Sequence, residues 1–179
     1  MPFALATEGP RRYNRRTMDQ ARNEDVVSLR DHPLLQRLAD EQLERFASAG
    51  EVETYAAGEV IVTEGSLGDS IYLVLCGNTA VQKGGVGGRR LATLGAGEFF
   101  GEMSFVEAAP RSASVVALEP TDVFRLPNQA LHRLAADDPR AMNAVLVMII
   151  RTLSQRLRQM NETISTVGQL SDWIAGSLV

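Results

Sequence analysis

The chain has 179 residues, of which 45% are hydrophobic and 22% charged, and its formal net charge is -4. This is enough for one domain with a real core plus extensions, with the composition of an ordinary globular protein. The negative balance argues against wholesale nucleic-acid binding, and the single cysteine excludes an intramolecular disulfide or a cysteine-ligated iron–sulfur cluster within one chain.

Residues 1–30 read as a flexible arm. Arg11, Arg12, Arg15, Arg16 and Arg22 cluster there with few large apolar residues to bury. Such an arm stays solvated or meets an acidic partner. A helix is expected from Pro33 to Phe46, where Leu34, Leu35, Leu38, Leu43 and Phe46 recur at helical spacing. Asp31 is its candidate N-cap, Pro33 sits in the first turn, and Gly50 is a stop signal.

From Glu51 to Leu126 short β-branched runs alternate with glycine turns. The expected strands are Val52–Tyr55, Val60–Thr63, Ile71–Leu75, Thr79–Lys83, Arg90–Leu94, Ser114–Leu118 and Asp122–Leu126. Many short strands at regular spacing predict a small barrel or jelly roll. Cys76 ends the apolar run from Ile71 and is expected to be a buried thiol. Gly84–Arg90 reads as an exposed hairpin tip. Lys83 is the only lysine among 18 basic residues.

After Asn128 the pattern is helical again. Leu131 and Leu134 belong to a short helix, which Asp137-Asp138-Pro139 breaks before the next one opens. Leu146, Ile150, Leu153, Leu157, Met160, Ile164 and Val167 then follow spacings of 4, 3, 4, 3, 4 and 3. That is a coiled-coil seam over three heptads. A small barrel cannot cover a helix of about 25 residues, roughly 38 Å long, so its later part is expected to self-associate. Gly168 weakens the helix near its end. Beyond it Leu170, Trp173, Ile174 and Leu178 remain apolar, as in a packed segment or one cut off from a further domain. No apolar run is long enough for a membrane span and the N-terminus lacks a secretory core, so cytoplasm is the expected compartment. The expected architecture is mainly β with flanking helices: an Arg-rich arm over 1–30, a jelly-roll-like β-roll over 31–140 with an N-terminal helix, and a long C-terminal helix over 141–179.

Phe99–Ala113, reading FFGEMSFVEAAPRSA, carries the chemistry. Gly101-Glu102 precedes a helix-like run, and Arg111 follows nine residues after Glu102. Amides at a helix start, a glycine allowing close approach and an arginine able to fork onto oxygens make an anion cradle. A carboxylate beside them can accept from a sugar hydroxyl. Taken alone, Glu102 and Arg111 are better explained as a structural salt bridge, with Gly101 only turning the chain.

The upstream residues favour the cradle. Tyr55-Ala-Ala-Gly58-Glu59-Val-Ile61, Glu64-Gly65 and Gly68-Asp69-Ser70-Ile71-Tyr72-Leu-Val-Leu-Cys-Gly77 form a glycine and apolar pattern. Together with Phe99–Ala113 it resembles the cyclic nucleotide-binding domains, the superfamily of the bacterial catabolite activator and the protein kinase A regulatory subunits, over about residues 31–166. The resemblance implies that Arg111 pairs with the cyclic phosphate and Glu102 accepts from the ribose 2′-hydroxyl. It implies that Gly101 and the amides of Glu102 and Met103 line the sugar-phosphate, and that Ser112 and the Ala113 amide complete the phosphate contacts. Val81 and Leu91 fall where the family packs apolar side chains around the base, and Phe100 joins the ligand-lining set. Met103 stands where leucine is commoner, a volume-conserving change. Ser112, where threonine tends to favour guanine, leans toward cyclic AMP, with cyclic GMP as the alternative. Asn161 on the C-terminal helix falls near where dimeric bacterial members read the base, and is equally suited to a polar flank of the coiled coil.

No catalytic arrangement, metal cluster or Walker string is visible, and His32 and His132 lack metal-ligand spacing. The expectation is a non-enzymatic cyclic-nucleotide sensor, homodimeric through its C-terminal helix, needing no cofactor and signalling by rearrangement of its helices. Alternatives are the sensor part of a transcription regulator, with no helix-turn-helix before Val179, and a degenerate dimer scaffold.

Overall fold

The computed structural model describes residues 29–30, 35–107 and 109–176. The side chains of Arg37, Thr163 and residues 167–176 are outside that description. The arginine cluster of the arm, the Asp31 cap, the Pro33 helix start and the apolar side chains from Val167 onward therefore lie outside the described residues. The chain divides into two compact units, residues 1–144 and 145–179.

In the first unit the expected N-terminal helix is split. A 3-10 turn, Leu35–Arg37, is followed by α1, Asp40–Ser48, with Leu38 and Ala39 between them. Ala39 is extended (φ -62°, ψ 155°), and its N–H donates to the Gln42 side chain at 3.1 Å. With Asp40 and Glu41 in the first turn, a fresh helix start here satisfies amides that one continuous helix would have to route differently. α1 buries Leu43, Phe46 and Ala47.

Eight strands follow: β1 Glu51–Tyr55, β2 Val60–Val62, β3 Ser70–Cys76, β4 Thr79–Lys83, β5 Arg89–Leu94, β6 Phe99–Phe100, β7 Ser114–Ala117 and β8 Thr121–Pro127. They form two four-stranded antiparallel sheets, ordered β1-β8-β3-β6 and β2-β7-β4-β5. This is the expected β-roll. Its interior holds Tyr55, Val62, Tyr72, Val74, Leu94, Phe100, Val115, Ala117 and Val123. Residues alternate across the sheet: Val123 joins that interior, while Phe124 packs against Phe46 of α1, ring centroids 5.3 Å apart.

Two differences from expectation have local causes. Cys76 is exposed, not buried. Tyr72 and Val74 enter the interior, and unbroken alternation would send Cys76 after them. The register against β8 shifts between Val74 and Cys76, and the bulge re-aims the thiol outward. The two-residue β6 is too short to show a period in sequence. It is held by register with β3, Phe100 opposite Tyr72 and Phe99 opposite Leu73.

α2, Glu102–Glu107, starts directly after β6, and α3, Asn128–Asp137, after β8. Asp138 leaves helical geometry (φ -139°, ψ 83°). Its carboxylate then accepts from the Arg140 and Ala141 amides, capping α4, Pro139–Gly176. The expected break at Asp137-Asp138-Pro139 is present, with Asp138 as the N-cap and Pro139 as the first residue of the new helix. The helix runs through Gly168, whose cost of about 1 kcal/mol relative to alanine is too small to end it. In the second unit Leu146, Ile150, Leu153, Leu157, Met160 and Ile164 are 40–66% exposed. Among the described residues no helix is long and apolar enough to cross a membrane.

Candidate functional site

The site grows from the end of β6. Phe100 is buried and stacks on Tyr72 of β3, centroids 4.9 Å apart and rings 7° from parallel. The next residue, Gly101, turns the chain at φ 83°. A Cβ there would lie 2.5 Å from Arg111 Nη1 and 2.9 Å from the Ser70 carbonyl, so space and backbone both demand glycine. Gly68 is equally crowded: a Cβ would collide with the Ser104 side chain and lie 3.1 Å from Arg111 Cζ.

Arg111 is only 6% exposed. Its Nη2 donates to the Ser70 carbonyl at 2.7 Å, and Nη1 to the Gly101 carbonyl at 3.1 Å and to Ser104 Oγ at 3.5 Å. The guanidinium lies 5.7 Å from the Tyr72 ring centroid. Burial pushes it below its ordinary pKa, and Tyr72, Asp69 and Glu102 oppose that shift. It remains a cation at neutral pH. These hydrogen bonds go to neutral oxygens, so a further anion would find a desolvated, pre-aimed fork.

The backbone around Arg111 is fixed from the β2–β3 turn. Gly65 N–H donates to the Arg111 carbonyl at 2.9 Å, and Arg111 N–H to the Ser66 carbonyl at 2.8 Å. Glu64 N–H donates to Ser114 Oγ at 3.0 Å. The next residue, Ser112, is exposed, and its hydroxyl lies 3.6 Å from Met103 Sδ. Glu102 is 3% exposed at the start of α2, Met103 is 46% exposed, and Ala113 is buried. Val81 is half-buried against the roll interior, and Leu91 is exposed on β5.

The fold therefore gathers Gly101, Met103, Arg111 and Ser112 through direct contacts, with Phe100, Glu102 and Ala113 adjacent in the chain. Val81 and Leu91 stand on the neighbouring hairpin. Asn161 is exposed on α4 in the second unit. Sequence reasoning missed Ser70, Tyr72 and Ser104 as the groups that seat Arg111. Ser70 and Tyr72 lie about forty residues upstream, and only strand register brings them there. Ser104 carried a weak signal, two residues after Glu102 in the helix that Glu102 begins. Among the described residues no group of three or more His, Cys, Asp or Glu converges as metal ligands would.

Residues 52–138 match the family model described as cyclic nucleotide-binding domain. A solved cyclic nucleotide-binding domain from Methylobacillus flagellatus is 31% identical, with a TM-score of 0.69 over 82% of this chain and 83% of that one. This chain is a cyclic nucleotide-binding domain. Among its curated relatives is the cyclic AMP receptor protein of Thermus thermophilus, 33% identical over 129 residues, 71% of this chain and 60% of the relative. Another is the cAMP-dependent protein kinase regulatory subunit of Eremothecium gossypii, 35% identical over 106 residues, 59% of this chain and 23% of the relative. The chain thus spans 60% or less of the length of these two relatives. The two four-stranded sheets and flanking helices are the fold of this family.

Proposed function

We propose that this domain is a non-catalytic regulatory sensor whose ligand is cyclic AMP. The observation that carries the reading is the buried Arg111 guanidinium, packed so closely on Gly101 that no side chain fits between them. A cyclic phosphate is a singly charged anion of the size that such a fork accepts. Arg111 takes its exocyclic oxygens, and the Glu102 carboxylate accepts from the ribose 2′-hydroxyl. Gly101, the first amides of α2, the Ser112 hydroxyl and the Ala113 amide surround the sugar-phosphate. Phe100 backs the site through its stack on Tyr72, and Val81 and Leu91 flank the base. Ser112 favours adenine over guanine at this position, with cyclic GMP the weaker ligand. The names of the Thermus and Eremothecium relatives support cyclic AMP.

Signalling follows from differential affinity. A ligand shifts the domain between two arrangements only as far as it binds one more tightly. The exposed apolar row Leu146, Ile150, Leu153, Leu157, Met160 and Ile164 supports a coiled-coil homodimer through α4. Asn161 then flanks that seam.

Isothermal titration calorimetry tests the site. Charge-assisted hydrogen bonds are worth about 1.5–3 kcal/mol each, so Arg111→Ala should weaken cyclic AMP binding by roughly tenfold or far more. An unchanged affinity would sink the assignment.

A further inference from the structure

Lys83, the only lysine of the chain, is still paired with Arg89 of β5 but stands one residue past the last β4–β7 pair, where the ligand loop begins. β4 and β7 are paired from Thr79–Ala117 to Gln82–Ser114, and no pairing is continued past that point. The next residue on β4 is Lys83, and the residues preceding Ser114 on the other side are Arg111, Ser112 and Ala113. Lys83 extends the connection with its side chain: Nζ donates to the Ser112 carbonyl at 2.7 Å.

The ammonium is itself held. It pairs with Glu64 Oε1 at 2.8 Å, while Glu64 Oε2 accepts from the Gly84 amide at 2.8 Å and the Gly85 amide at 3.3 Å. These contacts draw the Glu64 carboxyl below its ordinary range, the Lys83 hydrogen bond foremost. The β2–β3 turn, the β4–β5 hairpin and the Arg111–Ser114 segment are therefore joined at one point. A long, freely rotating side chain is restrained there between two acceptors.

Planarity gives this contact a direction. No described peptide bond is cis, and in a trans peptide the C=O of one residue and the N–H of the next point to opposite sides. With the Ser112 carbonyl drawn toward Lys83, the Ala113 N–H is turned away from it. We propose that Lys83 is a positioning residue for the anion site, holding the Ser112–Ala113 peptide plane so that the Ala113 N–H faces the ligand phosphate. This rests on the reading that the loop binds a cyclic phosphate.

As a half-exposed ion pair, Lys83–Glu64 adds little to stability. A positioning role and a stabilising one therefore separate by experiment. Cyclic AMP and cyclic GMP binding is measured by calorimetry on the full chain, its Lys83→Met and Lys83→Arg variants, with melting temperatures taken without ligand. The expected result is a loss of affinity of roughly 10- to 150-fold in Lys83→Met, the worth of one hydrogen bond to a charged group. Lys83→Arg should recover most of it, and the ligand-free melting temperature should hold. Wild-type binding with equal affinity in Lys83→Met overturns the proposal alone. So does a loss that comes with a matching fall in melting temperature and is not recovered by arginine. Failure of the wild-type chain to bind either nucleotide overturns the cyclic-phosphate reading, and the positioning role with it.

Discussion

Gly101→Ala is the most exacting test of the geometry around Arg111. The added methyl would sit 2.5 Å from Arg111 Nη1 and 2.9 Å from the Ser70 carbonyl, on a backbone at φ 83°. The backbone strain alone costs about 1–3 kcal/mol, a fall of several degrees in melting temperature for a chain of this size. The clash adds a second effect. The Ser70 carbonyl belongs to β3 and is held in the sheet, so the guanidinium is the group that yields. Losing one of its bonds to phosphate, at about 1.5–3 kcal/mol, weakens binding roughly 10- to 150-fold. Gly58→Ala separates the two effects. Gly58 has nearly the same φ, 85°, but nothing lies within 4 Å of its Cβ position. It should lose stability and keep its affinity. The assay is calorimetric titration with cyclic AMP, paired with thermal melts of both variants. Equal affinities for Gly101→Ala and Gly58→Ala would refute the claim that Gly101 is glycine to make room for Arg111.

Three further outcomes are expected. Ser112→Thr should raise the affinity for cyclic GMP relative to cyclic AMP in a competition assay, and an unmoved ratio removes Ser112 as the selector. In sedimentation velocity the wild-type chain should dimerise and Leu157→Glu should shift it to monomer, because each copy loses a leucine worth about 1.5–3 kcal/mol when buried; a monomeric wild type contradicts the coiled-coil seam. The Gly84 and Gly85 amide resonances should titrate with the Glu64 carboxyl at a midpoint below 4.5, since its hydrogen bonds to Lys83 and these amides favour the ionised form. A folded-state pKa lowered in this way means the tie is intact above the unfolded value and is lost as pH falls through the folded one. A midpoint at or above 4.5 would show that the tie is absent in solution.

Much of the roll was legible because its strands are β-branched and its turns carry glycine, two signals local in the chain. The cassette was legible for the same reason: Gly101, Glu102 and Arg111 lie within eleven residues of one another. What escaped was set by register. Phe99 and Phe100 become a strand only because β3 offers them an edge, and Ser70 becomes an acceptor for Arg111 only because β3 begins beside α2. The bulge that turns Cys76 outward depends on pairing with β8, which alternation within one strand cannot foresee. The N-terminal helix was misjudged differently. Its apolar spacing is real, but the short-range hydrogen bond from Ala39 to Gln42 outweighs periodicity and begins the helix later.

The outward thiol has a practical consequence. A chain with one cysteine, placed at the surface of a rigid strand, carries a unique attachment point. A maleimide dye on Cys76 labels each copy once, without any substitution in the protein. Energy transfer between differently labelled copies would then report their association directly, and its change on adding nucleotide would give a distance signal from the roll itself.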